Sequence, residues 1–171
     1  MTDALEDDVE YERRFLVADL AVLNGVEDYE QIEQAYVWKA GGYAIRVRTI
    51  RRSDDPTGET QASFTLKGPR KDAHRYELEQ PMDPGHAHAI AEVTPHRIRK
   101  KRYAKITEGN TWVIDVFEGA NHGLIIAEFE AGRGAVGSLK KPWWAGEEVT
   151  EDVRYNNEEL AANPWPFKER P

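Results

Sequence analysis

Apolar and polar side chains alternate one by one through most of this chain, which is the period of a β-strand rather than a helix. Val9 to Val17 opens the series, with Tyr11, Arg13, Phe15 and Val17 on one face and Glu10, Glu12 and Arg14 on the other. In Tyr43 to Arg48, Arg46 and Arg48 oppose Tyr43, Ile45 and Val47; in Ser63 to Lys67, Thr65 and Lys67 oppose Phe64 and Leu66. Arg75, Glu77 and Glu79 oppose Tyr76 and Leu78. Lys100 and Arg102 share one face of Ile98 to Arg102, and Asp115 is the one charge within Trp112 to Val116. Glu128 and Glu130 close the series in Ile126 to Glu130.

Between the strands, turn chemistry sets the expected connections. Gln31 to Lys39 and Gly42 to Arg52 read as a hairpin around Ala40-Gly41-Gly42, where glycine supplies positive φ. Ser53 to Thr60 reads as a polar loop, and Gly68 to Ala73 as the turn into the strand that carries Glu77. Glu108-Gly109-Asn110 marks a tight turn within Lys105 to Thr111. Pro84 to Val93 is predicted as a helix, stopped by Thr94-Pro95. Gly132 to Leu139 is expected to hold a short helix. Asn156 with Glu159 offers a capping box for a last helix through about Ala162, and Pro164 and Pro166 imply an extended tail. The expectation is one mainly β, α+β domain over residues 1–171, with a core at about 9–161, an acidic N-terminal tail and a Pro-rich C-terminal one. Its form would be a closed antiparallel β-barrel with a polar bore and a few flanking helices.

The charged face carries seven acids (Glu10, Glu12, Glu77, Glu79, Asp115, Glu128, Glu130) and seven bases (Arg14, Arg46, Arg48, Lys67, Arg75, Lys100, Arg102). An antiparallel sheet with one wet face alternates in the same way. That ordinary explanation accounts for the period but not for repeated E-x-E, R-x-R and K-x-R pairs in separate strands. Bases on a common lining would grip phosphate oxygens, and clustered carboxylates would hold a hard divalent cation.

Composition narrows the field. The 171 residues are 40% hydrophobic and 32% charged, enough for one globular core. A net charge of −8 argues against nucleic-acid binding, which draws on a basic surface. The run Arg97 to Arg102 splits between two strand faces and is not a basic patch. No apolar run is long enough to span a bilayer, and Met1 to Asp8 is acidic rather than signal-like. The lack of cysteine excludes thiolate metal sites and a Cys nucleophile and is compatible with a cytoplasmic location. The five histidines have no zinc-site spacing. Trp143-Trp144 is expected in packing. A homodimer is expected only on general frequency.

In its order of motifs the chain resembles the CYTH superfamily, the triphosphate tunnel metalloenzymes, and within it the short bacterial inorganic triphosphatases. The family's E-x-E-x-K corresponds to Glu10-x-Glu12-x-Arg14. The likeness continues through Arg46-Val-Arg48, Thr65-Leu-Lys67-Gly68, Glu77-x-Glu79, Lys100-Lys-Arg102-Tyr103, Asp115-Val-Phe-Glu-Gly119 and Glu128-Phe-Glu130. It ends in Trp144 to Asp152 and Arg154-Tyr155-x-Asn157, spanning about residues 9 to 161. The resemblance implies a closed barrel that hydrolyses tripolyphosphate, a small-molecule substrate, with Mg²⁺ or Mn²⁺. It implies a phosphate clamp of Arg46, Arg48, Lys67, Lys100 and Arg102, with Arg75 a lesser member. Glu10, Glu12, Asp115, Glu128 and Glu130 would be metal ligands, and Glu77 and Glu79 would support the metal, a water or the bases.

Arg14 departs from the family lysine. A planar guanidinium fork replaces a compact ammonium, which could bind phosphate while misplacing the attacking water. Beside tripolyphosphate hydrolysis two alternatives stand, the first resting on Arg14 and the second on the other activities of the superfamily. One is a polyphosphate- or nucleotide-binding module with weak or lost turnover; the other is adenylyl cyclase or thiamine triphosphatase activity.

Overall fold

The computed structural model describes residues 11–71, 74–131 and 133–167, and within them the side chains of all but 70, 71, 74, 75 and 133. Alternation produces strands wherever the sequence led to them. The strands are β1 (Tyr11–Val17), β2 (Glu30–Ala40), β3 (Tyr43–Arg52), β4 (Thr60–Lys71), β5 (His74–Pro81), β6 (Arg97–Thr107), β7 (Asn110–Glu118), β8 (Ile125–Ala131) and β9 (Ala145–Glu148). The helices are α1 (Pro84–Glu92), α2 (Arg133–Ser138) and α3 (Asn157–Ala162). All the strands join one antiparallel sheet in the order β5-β4-β3-β2-β6-β7-β8-β1-β9.

Local chemistry explains the connections. Gly41 and Gly42 take φ of 58° and 80° between β2 and β3, and a Cβ on Gly42 would come within 2.8 Å of Pro69. Glu108 and Gly109 both hold positive φ at the β6–β7 turn, as a two-residue hairpin requires. Asp83 caps α1 by accepting from the His86 N–H, and Pro84 fills its first position.

Two stretches of the sheet's outward face are apolar and covered. Phe15, Trp112, Ile114, Ala127 and Phe129 pack together beneath Val136 of α2. Trp144 meets Trp112 edge-on at 5.1 Å, whereas Trp143 is exposed, so only one of the tandem tryptophans packs. Farther along the sheet, α1 lays Ala87, Ile90 and Ala91 on Ala35, Val47 and Phe64.

The inner face changes character along its length. At one end Leu16, Tyr36, Ala44, Ile98, Phe117 and Ile126 form an apolar floor, closed by Leu160 and Ala161 of α3 and by Trp165 and Phe167. Beyond that floor the same strand faces turn charged. Asn121 fastens the floor, donating to the Leu160 carbonyl at 3.1 Å and accepting from the Trp165 N–H at 2.8 Å.

Four expectations need correction. No backbone pairing joins the sheet edges β5 and β9 among the described residues, so hydrogen bonds do not close a barrel. The edge strand β9 has four residues, and its register against β1 shifts, which leaves little backbone to pair. Gly68 to Lys71 continues β4 rather than turning, with a register shift between Lys67 and Arg70 that absorbs the irregularity. The Pro-rich segment is packed through Phe167, because Trp165 and Phe167 find apolar partners that outweigh an extended conformation. Asn156 stands at the start of α3 but makes no side-chain cap, since its carboxamide oxygen accepts from Arg14 instead.

Candidate functional site

Strand register builds the charged lining. Arg102 on β6 stands opposite Asp115 on β7, Lys67 on β4 opposite Glu77 on β5, and Arg14 on β1 opposite Glu128 on β8. Such directly opposed side chains interact across a sheet. Glu12 faces Glu130, an acid against an acid.

One wall spans β2 to β5. Arg46, almost wholly buried, donates from Nη1 to Gln34 Oε1 at 2.8 Å and from Nε to Thr65 Oγ1 at 3.3 Å. Its Nη2 lies 3.5 Å from Glu77 and 3.7 Å from Glu79. Arg48 reaches only the neutral Gln34, at 3.2 Å, and has no carboxylate within ion-pair distance among the described residues. Lys67 pairs with Glu77 at 2.9 Å. Burial lowers Arg48 below the ordinary arginine value, and repulsion from Arg46 and Arg102 lowers it further. A guanidinium does not give up its proton, so this crowding is stored as a preference for an anion. Glu77 stays below its ordinary value: burial would raise it, but Lys67, Arg46 and Arg48 outweigh that.

The second wall spans β6 to β8. Arg102 grips Asp115 with two parallel hydrogen bonds, 2.8 and 2.7 Å, and reaches Glu128 at 3.1 Å. Lys100 donates to Asp115 and, at 3.3 Å, to Asn157 of α3. Both Asp115 and Lys100 are buried. Burial would raise Asp115, but the two cations hold it below the carboxylate range. Burial and Arg102 pull Lys100 down against the attraction of Asp115. Burial also raises Glu128, and the charge of Asp115 adds to it.

Arg14 behaves differently from the other bases. Its Nη1 donates to the Tyr155 carbonyl at 3.1 Å, and Nη2 donates to the Thr150 carbonyl and to Asn156 Oδ1, both at 2.9 Å. Nε lies 3.7 Å from Glu12. The guanidinium therefore binds the segment leading into α3. Arg13 faces outward as its strand position requires, with a bidentate grip on Glu148.

The lining opens to solvent beside both walls. A cavity of about 580 Å³ is bordered by Arg48, Ser63 and Glu79, and another of about 330 Å³ by Arg102, Glu30 and Tyr29. Of the expected site residues, Glu10 lies outside the described residues. Arg75 lies in β5, with its side chain also outside them. Glu130 is exposed at the rim and Glu12 half-buried. Sequence reasoning missed Gln34, Thr150 and Tyr36, the last pushed up to about 12 by burial, against the opposing pull of Arg46. Gln34 was findable: it shares a strand face with Ile32 and pairs in register with Arg48.

Carboxylate oxygens suit a hard divalent cation. Glu12, Glu128 and Glu130 share one patch of β1 and β8, and the charge of Glu12 adds to the raising of Glu128, a repulsion that a cation would relieve. Among the described residues no three metal-ligating side chains stand together around one point. Asp115 has both oxygens engaged by Arg102 and Lys100. The donor chemistry fits a cation; Glu12, Glu128 and Glu130 are its candidates here.

No family model matches the sequence. An inorganic triphosphatase of Acetivibrio thermocellus is 35% identical over 164 residues, covering 94% of this chain and 98% of that protein. An inorganic triphosphatase of Nitrosomonas europaea is 42% identical over 67 residues, 38% of this chain and 44% of that protein. A crystal structure of an inorganic triphosphatase superposes with a TM-score of 0.65 at 30% identity, covering 89% of this chain and 93% of that one. No helix among the described residues is long and apolar enough to cross a membrane.

Proposed function

Because this chain belongs to the inorganic triphosphatase family of the CYTH superfamily, we propose that it hydrolyses inorganic tripolyphosphate with the help of Mg²⁺ or Mn²⁺. As an enzyme it is a triphosphate-hydrolysing hydrolase. The observation that carries the substrate reading is the convergence of Arg46 and Arg48 on the single neutral oxygen of Gln34, with Arg48 lowered by burial first and by Arg46 and Arg102 after it. A phosphate chain brings the anionic oxygens that such a cluster lacks.

In this reading Arg46, Arg48 and Lys67 hold one stretch of the phosphate chain, and Lys100 and Arg102 hold another. Asp115 orients Lys100 and Arg102, so the two cations meet the substrate already aligned. Glu12, Glu128 and Glu130, with Glu10, are the proposed cation ligands. A bound divalent cation supplies charge neutralisation of the phosphate oxygens and a more acidic water. Glu77 and Glu79 keep Lys67 and Arg46 in place. Phosphoryl transfer needs positioning and charge stabilisation more than a protein nucleophile, and this lining offers both. Closure into a tunnel belongs to the same proposal, with opposite walls joined through bound phosphates rather than by backbone pairing.

Phosphate release from tripolyphosphate, pyrophosphate, ATP and thiamine triphosphate, each with Mg²⁺ or Mn²⁺, tests the proposal. Release chiefly from tripolyphosphate is the expected result. A second reading, a polyphosphate-binding module, draws on the engagement of Arg14 with Thr150, Tyr155 and Asn156. Tight binding without phosphate release would select it.

A further inference from the structure

Gln34 stands near the middle of β2, the strand of the first wall that adjoins the second, with Arg48 of β3 and Ile98 of β6 as its register partners. It is 2% exposed. Its Oε1 accepts from Arg46 Nη1 and Arg48 Nε. Two guanidinium donors converging on one atom fix the amide orientation, because only the oxygen can accept. That leaves Nε2, with its two N–H bonds, buried and without a partner among the described residues. An unpaired buried donor is costly, so folded proteins seldom keep one without a use. The hydrogen-bonding partners of Gln34, Arg46 and Arg48, have only donors to offer and cannot supply the acceptor.

The geometry points to Gln34 as a substrate-binding residue whose Nε2–H₂ donates to a non-bridging phosphate oxygen held between Arg46 and Arg48. This rests on the triphosphate reading and adds to it a residue that carries no charge. A third cation here would worsen the crowding at Arg48, and a carboxylate would neutralise the pair and repel phosphate. The carboxamide does two jobs at once: its oxygen braces both guanidiniums and its nitrogen reads the ligand.

The test combines tripolyphosphate calorimetry in the presence of Mg²⁺ with ¹⁵N–¹H spectra of the unsubstituted chain. The side-chain amide pair of Gln34, assigned through its own backbone, is expected to move downfield as tripolyphosphate is added. Gln34→Glu keeps the acceptor for both arginines but loses the donor. It should keep its thermal stability yet bind tripolyphosphate about tenfold more weakly or worse, through the lost donor and the repulsion of its carboxylate together, and the amide shift of the unsubstituted chain separates the donor's part from the charge. Gln34→Met, which loses both functions, should bind no better. If the unsubstituted chain binds tripolyphosphate while the Gln34 amide signals stay put, or if Gln34→Glu binds within about twofold of it, the assignment is overturned. If the unsubstituted chain does not bind tripolyphosphate at all, the triphosphate reading falls first and takes this one with it.

Discussion

Arg14 donates from Nη2 to Asn156 Oδ1 at 2.9 Å, and this contact ties the first strand to the segment that closes the apolar floor. With the carbonyls of Thr150 and Tyr155 it makes three charge-assisted bonds from one planar fork. A lysine ammonium, a point charge on a flexible stem, cannot reach all three acceptors together. Arg14→Lys is therefore expected to lower the unfolding free energy by about 2 kcal/mol and not to raise tripolyphosphate turnover. Urea denaturation beside a phosphate-release assay checks both. A faster enzyme of undiminished stability would show that position 14 serves the reaction and not the fold.

Asp115 carries the opposite kind of importance. It is buried and neutralises Lys100 and Arg102, so Asp115→Asn strands two cations in the lining. The expected loss is about 3–5 kcal/mol of stability. Guanidinium denaturation at neutral pH measures it, and a loss below about 1 kcal/mol would mean that water reaches the pair freely.

The same residue sets an acid limit. Its folded pKa is depressed, because the pull of Lys100 and Arg102 outweighs burial. A carboxyl with a folded value below its unfolded one adds stability that is fully present above the unfolded value, about 3.9. That contribution is lost as pH falls below it toward the folded value. Wild-type stability should therefore drop more steeply between about pH 4 and pH 2 than that of Asp115→Asn. Parallel denaturation curves for the two proteins over that range would contradict the assignment.

Arg48 is expected to separate binding from stability. It is crowded by two other guanidiniums and has no ion-pair partner among the described residues, so removing it relieves repulsion. Arg48→Ala should leave the melting temperature unchanged or higher while weakening tripolyphosphate binding about 10- to 100-fold. Calorimetry and thermal denaturation on one preparation suffice. A melting temperature that falls together with affinity would assign Arg48 to the fold.

Cation and substrate should help each other. The carboxylates of the lining partly neutralise its bases, and a divalent cation near Glu12, Glu128 and Glu130 would free the bases for phosphate. Tripolyphosphate should bind more tightly with Mg²⁺ than after chelation. Glu12→Gln and Glu130→Gln should each raise the Mg²⁺ concentration needed for half-maximal phosphate release by about tenfold or more. Equal affinity with and without the cation would remove the basis for this coupling.

Much of the lining is legible in the sequence. Strand period alone groups Arg46, Arg48, Lys67, Lys100, Arg102, Asp115 and Glu128, and register brings acids and bases from that group opposite one another. Gln34 is uncharged, so a search by charge passes over it, although its strand face and its hairpin pairing with Arg48 mark it. Strand period puts Arg14 on the correct face, but its partners are more than 130 residues away in the chain. The packing of Trp165 and Phe167 is hidden for a related reason: prolines advertise the lack of regular structure but not what the neighbouring aromatics will touch.

The division has a simple physical origin. Which side chains share a strand face follows from the backbone geometry of a few consecutive residues. The charged lining, its residue types and the helix capped by Asp83 are therefore fixed locally, by the order of amino acids alone. Which strands become neighbours, which end of the lining is sealed, where the sheet edges fall and whether a guanidinium faces a carbonyl or a ligand depend on elements far apart in the chain. Those relations exist only once β1, β8 and the segment before α3 have packed together, because no short stretch of sequence contains both partners.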